Sequence, residues 1–169
     1  MKNILLLFLL CLSFYGFSQN LPTLDEKNGF REMKFGDSVS KFKDLVILEY
    51  DNDSSSRFYS RTHDKLTIGS AEVTLVYGFY MGQMSSVHIK TKGYVNSAEL
   101  LRVLIELYGK GYQSNEYIEH YVWYGQKVNM SYKKNSIIDD SSILMWSKII
   151  QDQKDKDQKE KVEKAKGDF

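Results

Sequence analysis

Between Ala71 and Tyr80 the side chains alternate in character. Val73, Leu75, Tyr77 and Phe79 are large and apolar, with Glu72, Thr74 and Gly78 between them. A period of two describes a strand with one face buried. Met81-Gly82-Gln83 reads as a hairpin turn. Met84 to Lys92 then returns, with Val87 and Ile89 on one face and His88 and Lys90 on the other. Such a pair buries its apolar face only against a second layer, so the chain must build a half-covered antiparallel sheet.

The rest of the chain supplies that layer and more strands. Asn96 to Tyr108 carries Leu100, Val103, Leu104, Leu107 and Tyr108 as one apolar helical stripe. Asn96 and Glu99 suit a capping box, and Gly109 and Gly111 suit the stop. Tyr117 to Tyr124 and Lys127 to Lys134 form a second hairpin, turning at Gly125-Gln126. Ser142 to Ile150 reads as a last strand, with Ile143 and Met145 on one side and Leu144 and Trp146 on the other. Such a strand is expected to be covered on both faces. Earlier, Phe30 to Phe35 and Arg57 to Thr62 read as short strands. Val39, Phe42 and Val46 fall on one helical face behind Asp37, a good N-cap.

The expected fold is therefore α+β: an antiparallel sheet of about six strands with helices on one face. The order also suits two degenerate helix-plus-three-strand units, with Tyr-Gly at 77–78 and again at 124–125.

The ends differ from the middle. Met1-Lys2-Asn3, the apolar run Ile4 to Leu12 and the small residues through Ser18 have the order of a secretory signal peptide. The expected organisation is a signal at 1–18, a flexible lead-in at 19–28, one domain at 29–150 and a charged helical or disordered tail at 151–169. No transmembrane segment is expected once the signal is removed. In the tail, Asp152, Asp155, Asp157 and Glu160 each precede a lysine by four, a helix-supporting spacing. Cys11, the only cysteine, lies in the signal, so a processed chain has no disulfide or thiolate chemistry. Acids and bases nearly balance, 22 against 23 over the whole chain. That leaves no electrostatic footprint for nucleic acid.

No motif names a reaction, and no cofactor is expected. Ser38-Val39-Ser40-Lys41 matches S-x-x-K, but K-T-G and S-D-N are missing. Asp51-x-Asp53-x-Ser55 begins like a calcium loop, yet Ser56 and Thr62 stand where Gly and Glu belong. His63, His88 and His120 are the only histidines, and none has a partner at helical spacing. His88 and His120 fall on strands that suit neighbours in a sheet. The strongest binding signal is aromatic: Tyr112, Tyr117, Tyr121, Trp123, Tyr124 and Tyr132. Exposed rings of this kind stack on a glycan or anchor a protein partner. Alternation puts Trp123 and Tyr124 on opposite faces, with Trp123 as core and Tyr124 as the more exposed ring. The candidate binding set is thus Tyr121, Trp123, Tyr124, Tyr132, His88 and His120.

The run Phe30-Arg31-Glu32-Met33-Lys34-Phe35-Gly36 before a capped short helix resembles the start of uncharacterised exported bacterial α+β proteins. In architecture alone, the helix-plus-sheet plan resembles the β-lactamase inhibitor protein and small outer-membrane assembly lipoproteins. These likenesses carry no site residue to this chain. The expectation is a secreted or periplasmic, non-catalytic interaction domain, its partner another exported protein. A binder of cell-envelope glycan or a small ligand is the second reading. A small hydrolase built on His88, His120 and acids such as Glu72 or Glu119 is the third.

Overall fold

The computed structural model describes residues 21–50 and 55–167. The segment expected as a signal, with Cys11, the Asp51-x-Asp53 loop and Phe169 lie outside the described residues. Helix α1 spans Leu21–Lys27. Strands β1 (Gly29–Phe30) and β2 (Met33–Lys34) make a small hairpin. Strands β3 (Leu45–Tyr50) and β4 (Ser56–Arg61) follow, then a second small hairpin of β5 (Thr67–Ile68) and β6 (Ala71–Glu72). Next come β7 (Thr74–Tyr80), β8 (Gln83–Thr91) and helix α2 (Gly93–Tyr108). Strands β9 (His120–Tyr124), β10 (Val128–Lys134) and β11 (Ser141–Ser147) lead into helix α3 (Lys148–Lys166). The main sheet has seven strands in the order β3-β4-β7-β8-β11-β10-β9, all neighbours antiparallel. It is an α+β fold with an unclosed sheet.

The front face of the sheet carries the core. Leu75, Tyr77, Val87, Ile89, Met130, Tyr132, Ile143 and Met145 face Leu100, Leu104 and Tyr108 of α2. Tyr132 donates its hydroxyl to the Ser97 carbonyl at 3.1 Å, and Trp123 Nε1 donates to the Gly109 carbonyl at 2.9 Å. Both ends of α2 are thereby tied to the second hairpin. Asp64 enters the core rim, where it accepts from the Tyr77 hydroxyl and pairs with Arg31. Burial, with the Asp64 carboxylate beside it, pushes the Tyr77 phenol well above its ordinary pKa.

Four local expectations are overturned. The helix expected behind Asp37 shrinks to a 3-10 turn, Val39–Lys41, capped by Ser38 Oγ accepting from Ser40 N. Asp37 instead accepts from Lys34 N and Lys41 Nζ. The segment is fixed by backbone bonds to the β7–β8 turn, Gly36 N to Met84 O and Val39 N to Gly82 O. Val46, with β-branched Ile47, goes into edge strand β3, which suits such side chains. Helix α2 starts at Gly93, not Asn96, and Asp140 from a distant loop accepts the Gly93 N–H at 2.9 Å. Asn96 serves the Glu72 N–H instead. Leu107 of the expected stripe is 49% exposed. The last strand ends at Ser147, whose hydroxyl caps α3 by accepting from Ile150 N.

The lead-in holds the most informative surprise. Pro22 sits in the first turn of α1, where a missing N–H leaves no bond unmade. Leu24 is fully buried in the core cluster. Asp25 accepts three backbone N–H groups from the β9–β10 turn: Gln126 at 2.6 Å, Lys127 at 2.8 Å and Val128 at 3.0 Å. Gly125 is required by this approach, since a Cβ there would stand 2.4 Å from both Asp25 Oδ1 and the Val128 carbonyl. Burial works to raise the Asp25 pKa, but the three amides outweigh it and hold the carboxyl below its ordinary value. A lowered folded-state pKa stabilises the fold above the unfolded value, and that contribution is lost as pH falls through the folded value. Asp25→Asn is expected to lose about 1–3 kcal/mol at neutral pH and to show less stability loss on acidification. Urea unfolding at neutral and acidic pH measures both.

Helix α3 packs on the body most closely through its first turns. Ile150 is buried beside Phe58, Gly78 and Ser86, outside the main core cluster. Lys154 Nζ donates to Ser56 Oγ at 3.1 Å, and the Tyr80 hydroxyl donates to Asp157 at 2.6 Å. Beyond them Val162 is 59% exposed. Truncation after Gln151 is expected to leave the melting temperature nearly unchanged, because surface polar contacts of this kind contribute little. A large drop in a thermal melt would mean that α3 is part of the fold.

Candidate functional site

Strand register decides which side chains share the back face, opposite the core. One row across the sheet runs His120, Lys133, Ser142, Lys90 and Thr74. The next runs Val122, Ser131, Leu144, His88 and Val76. A third runs Tyr124, Asn129, Trp146, Ser86, Gly78 and Phe58. None of these residues belongs to the core cluster. Among the described residues, the first turns of α3 cover the Phe58–Ser86 corner. Val122, Leu144, His88 and Trp146 are half-buried, and Tyr124 is 54% exposed. Strand β11 therefore packs into the core through Ile143 and Met145 only, and the expected full cover over Leu144 and Trp146 is absent among the described residues.

The candidate binding residues divide between the two faces. Trp123 and Tyr132 are fully buried in the core, and half-buried Tyr121 packs its ring 6.3 Å from each of theirs. They brace α2 against the second hairpin. Tyr124, His88 and His120 lie on the back face. Tyr124 meets exposed Tyr112, ring centroids 6.4 Å apart. The side chains around Asn129 place its Oδ1 out of solvent and without a hydrogen-bond partner among the described residues.

His88 and His120 are not on neighbouring strands. Strands β11 and β10 lie between them, a separation of about 14 Å at ordinary strand spacing. They therefore cannot share a proton or a substrate atom directly. Burial, and then the Lys90 charge, hold the His88 imidazole below its ordinary pKa, so it is neutral at neutral pH. The acid beside His120 is engaged elsewhere, since Glu119 pairs with Lys134 at 3.5 Å. Among the described residues no three His, Cys, Asp or Glu side chains group as metal ligands.

At the end of the sheet the lysine row opens into a cleft of about 1100 Å³. Its floor includes Lys90, Lys133, Ser142 and Thr74, and Lys92 stands at the start of α2. Loop residues Leu66, Ile118 and Ile138 form an apolar rim, 57%, 48% and 58% exposed. Lys134 in the cleft wall is neutralised, held by Asp139 at 3.0 Å and by Glu119, and lies over the Tyr94 ring. Asp140 is occupied by the Gly93 amide, and Glu72 lines the opposite wall.

Trp146, Leu144, Asn129, Lys90 and Lys133 were missed as site residues. The signal was present in the alternation of β11, where Leu144 and Trp146 face away from Ile143 and Met145. Sheet order, which sets β11 between β8 and β10, was needed to see them as one surface with Tyr124 and His88. Comparison with family models, with curated proteins and with solved structures found no match.

Proposed function

We propose that the chain is an exported, non-catalytic interaction domain whose back face and end cleft receive another exported polypeptide. The observation that carries this reading is the division of the sheet. Its front face is a closed core, whereas its back face keeps Trp146, Leu144 and Val122 partly accessible and Tyr124 largely so, outside that core. Large rings and aliphatic side chains on a flat surface bury much area at small entropic cost, which is what interface anchors do. The lysine row along one end adds charge that fixes orientation more than affinity.

A photoreactive phenylalanine analogue in place of Tyr124 or Leu144, with Glu106 on the outer face of α2 as the control position, tests the reading. The expected result is one exported polypeptide, identified by mass spectrometry, crosslinked from both back-face positions and not from position 106. Equal crosslinking from all three positions, or none from either back-face position, would overturn it.

A second reading rests on one arrangement. Tyr124 and Trp146 flank Asn129 in register, two rings about 10 Å apart across two strand spacings. Asn129 between them has its unpartnered Oδ1 shut away from solvent, so the amide must turn outward to meet a ligand hydroxyl. Two rings and an amide suit stacking and hydrogen bonding of a cell-envelope glycan.

A further inference from the structure

The geometry points to a carboxylate-bearing, aliphatic polypeptide segment as the occupant of the end cleft, an inference that rests on the interaction reading and names its partner's chemistry. Lys133 and Lys90 stand in register on either side of Ser142. They are two strand spacings apart, about 10 Å, with the Ser142 hydroxyl between them. Both ammonium groups and that of Lys92 are exposed, and among the described residues none of the three has an ion pair.

The cations that hold the fold together are treated differently. Arg31 is paired with Asp64, Arg61 with Asp44 and Glu32, and Lys134 with Asp139 and Glu119. The cleft acids are mostly committed as well. Asp139 and Glu119 neutralise Lys134, and Asp140 holds the Gly93 amide. Glu72 and Asp140, the latter still charged beneath the neutral Gly93 amide, are the negative charges of the lining, against Lys90, Lys92, Lys133 and the paired Lys134. The row that floors the cleft, His120, Lys133, Ser142, Lys90 and Thr74, holds two unpaired lysines and no carboxylate, so the floor is locally positive and asks for an anion.

The rim selects which kind of anion. Leu66, Ile118 and Ile138 are aliphatic and largely exposed. A phosphate or sulfate polymer offers such a rim nothing to bury, and the near-neutral chain has no long-range attraction for a polyanion. A polypeptide alternating acidic and aliphatic side chains answers both features, with carboxylates over Ser142 and aliphatic groups against the rim. The cleft volume exceeds that of a single side chain and accommodates several residues of an extended segment.

The test is a titration of the 15N-labelled full chain, followed by amide chemical shifts, with two synthetic peptides. One alternates Glu and Leu, and the other alternates Gln and Leu. The expected result is saturable shifts at Lys90, Lys133, Ser142 and Ile118 with the Glu–Leu peptide, and binding about tenfold weaker with the Gln–Leu peptide or in raised salt. The double variant Lys90→Glu/Lys133→Glu, on exposed side chains, should keep a folded spectrum and lose the Glu–Leu response. Equal binding of the two peptides, a response that survives in the double variant, or shifts at these residues with polygalacturonate but not with peptide would each overturn the proposal. The crosslinks from positions 124 and 144 would still stand in those cases, whereas their loss with no peptide response removes the interaction reading itself.

Discussion

Trp123→Ala should cost about 3–5 kcal/mol of folding stability, the largest single-residue loss expected outside the Tyr77 network. The indole is fully buried. Its Nε1–H is bonded to the Gly109 carbonyl, which ends α2. Removing the ring leaves that carbonyl without its donor and the close approach of Gly111 without a surface to meet. A Cβ at Gly111 would stand 2.8 Å from the ring, so backbone and indole are fitted together. Denaturant titration measures the loss. A variant with an unchanged midpoint would mean that the second hairpin does not pack under α2.

Leu24→Ala is expected to cost about 2–5 kcal/mol, although it lies in a segment that reads from sequence as a lead-in. The side chain is fully buried against the core from a helix of only seven residues. A helix that short does not stand alone. It persists because Leu24 fills the core and Asp25 closes the β9–β10 turn from below. Removal of residues 1–28 should therefore destabilise the domain at least as much as Leu24→Ala does. A truncated chain with the melting temperature of the full one would show α1 to be dispensable.

What the sequence revealed and what it hid have separate physical causes. Strands β7, β8 and β10 were legible because each buries one face, and a period of two survives in Val73–Phe79, Val87–Ile89 and Val128–Tyr132. Helix α2 was legible from Leu100, Leu104 and Tyr108, which bear the core contact. Its start was not, because the group that caps it, Asp140, comes from a loop formed 47 residues later. Edge strand β3 was hidden by a coincidence of spacing. Val39, Phe42 and Val46 fit a helical face, and only non-local backbone bonds, to the β7–β8 turn at Gly36 and Val39 and to β4 at Val46, exclude it. Helix α1 was hidden because one buried leucine makes no periodic signal.

The candidate site was half legible for the same reason. Opposite orientation of Trp123 and Tyr124 follows from strand geometry alone, and the two rings do part in this way, one buried and one exposed. The meeting of Tyr124 with Trp146, and of Lys133 with Lys90, depends on strand order. No local pattern encodes that β11 inserts between β8 and β10. The same order separates His88 from His120.

The central claim is that the two faces of one sheet are unequal, one closed as core and the other left open for a partner. Its two tryptophans lie on opposite faces, so fluorescence quenching tests it directly. In Trp123→Phe the emission comes from Trp146, and the account predicts a red-shifted spectrum readily quenched by iodide. In Trp146→Phe it comes from Trp123, and the prediction is a blue-shifted, iodide-protected spectrum. Equal protection of the two indoles would contradict the open back face, and a more accessible Trp123 would reverse the assignment of the faces.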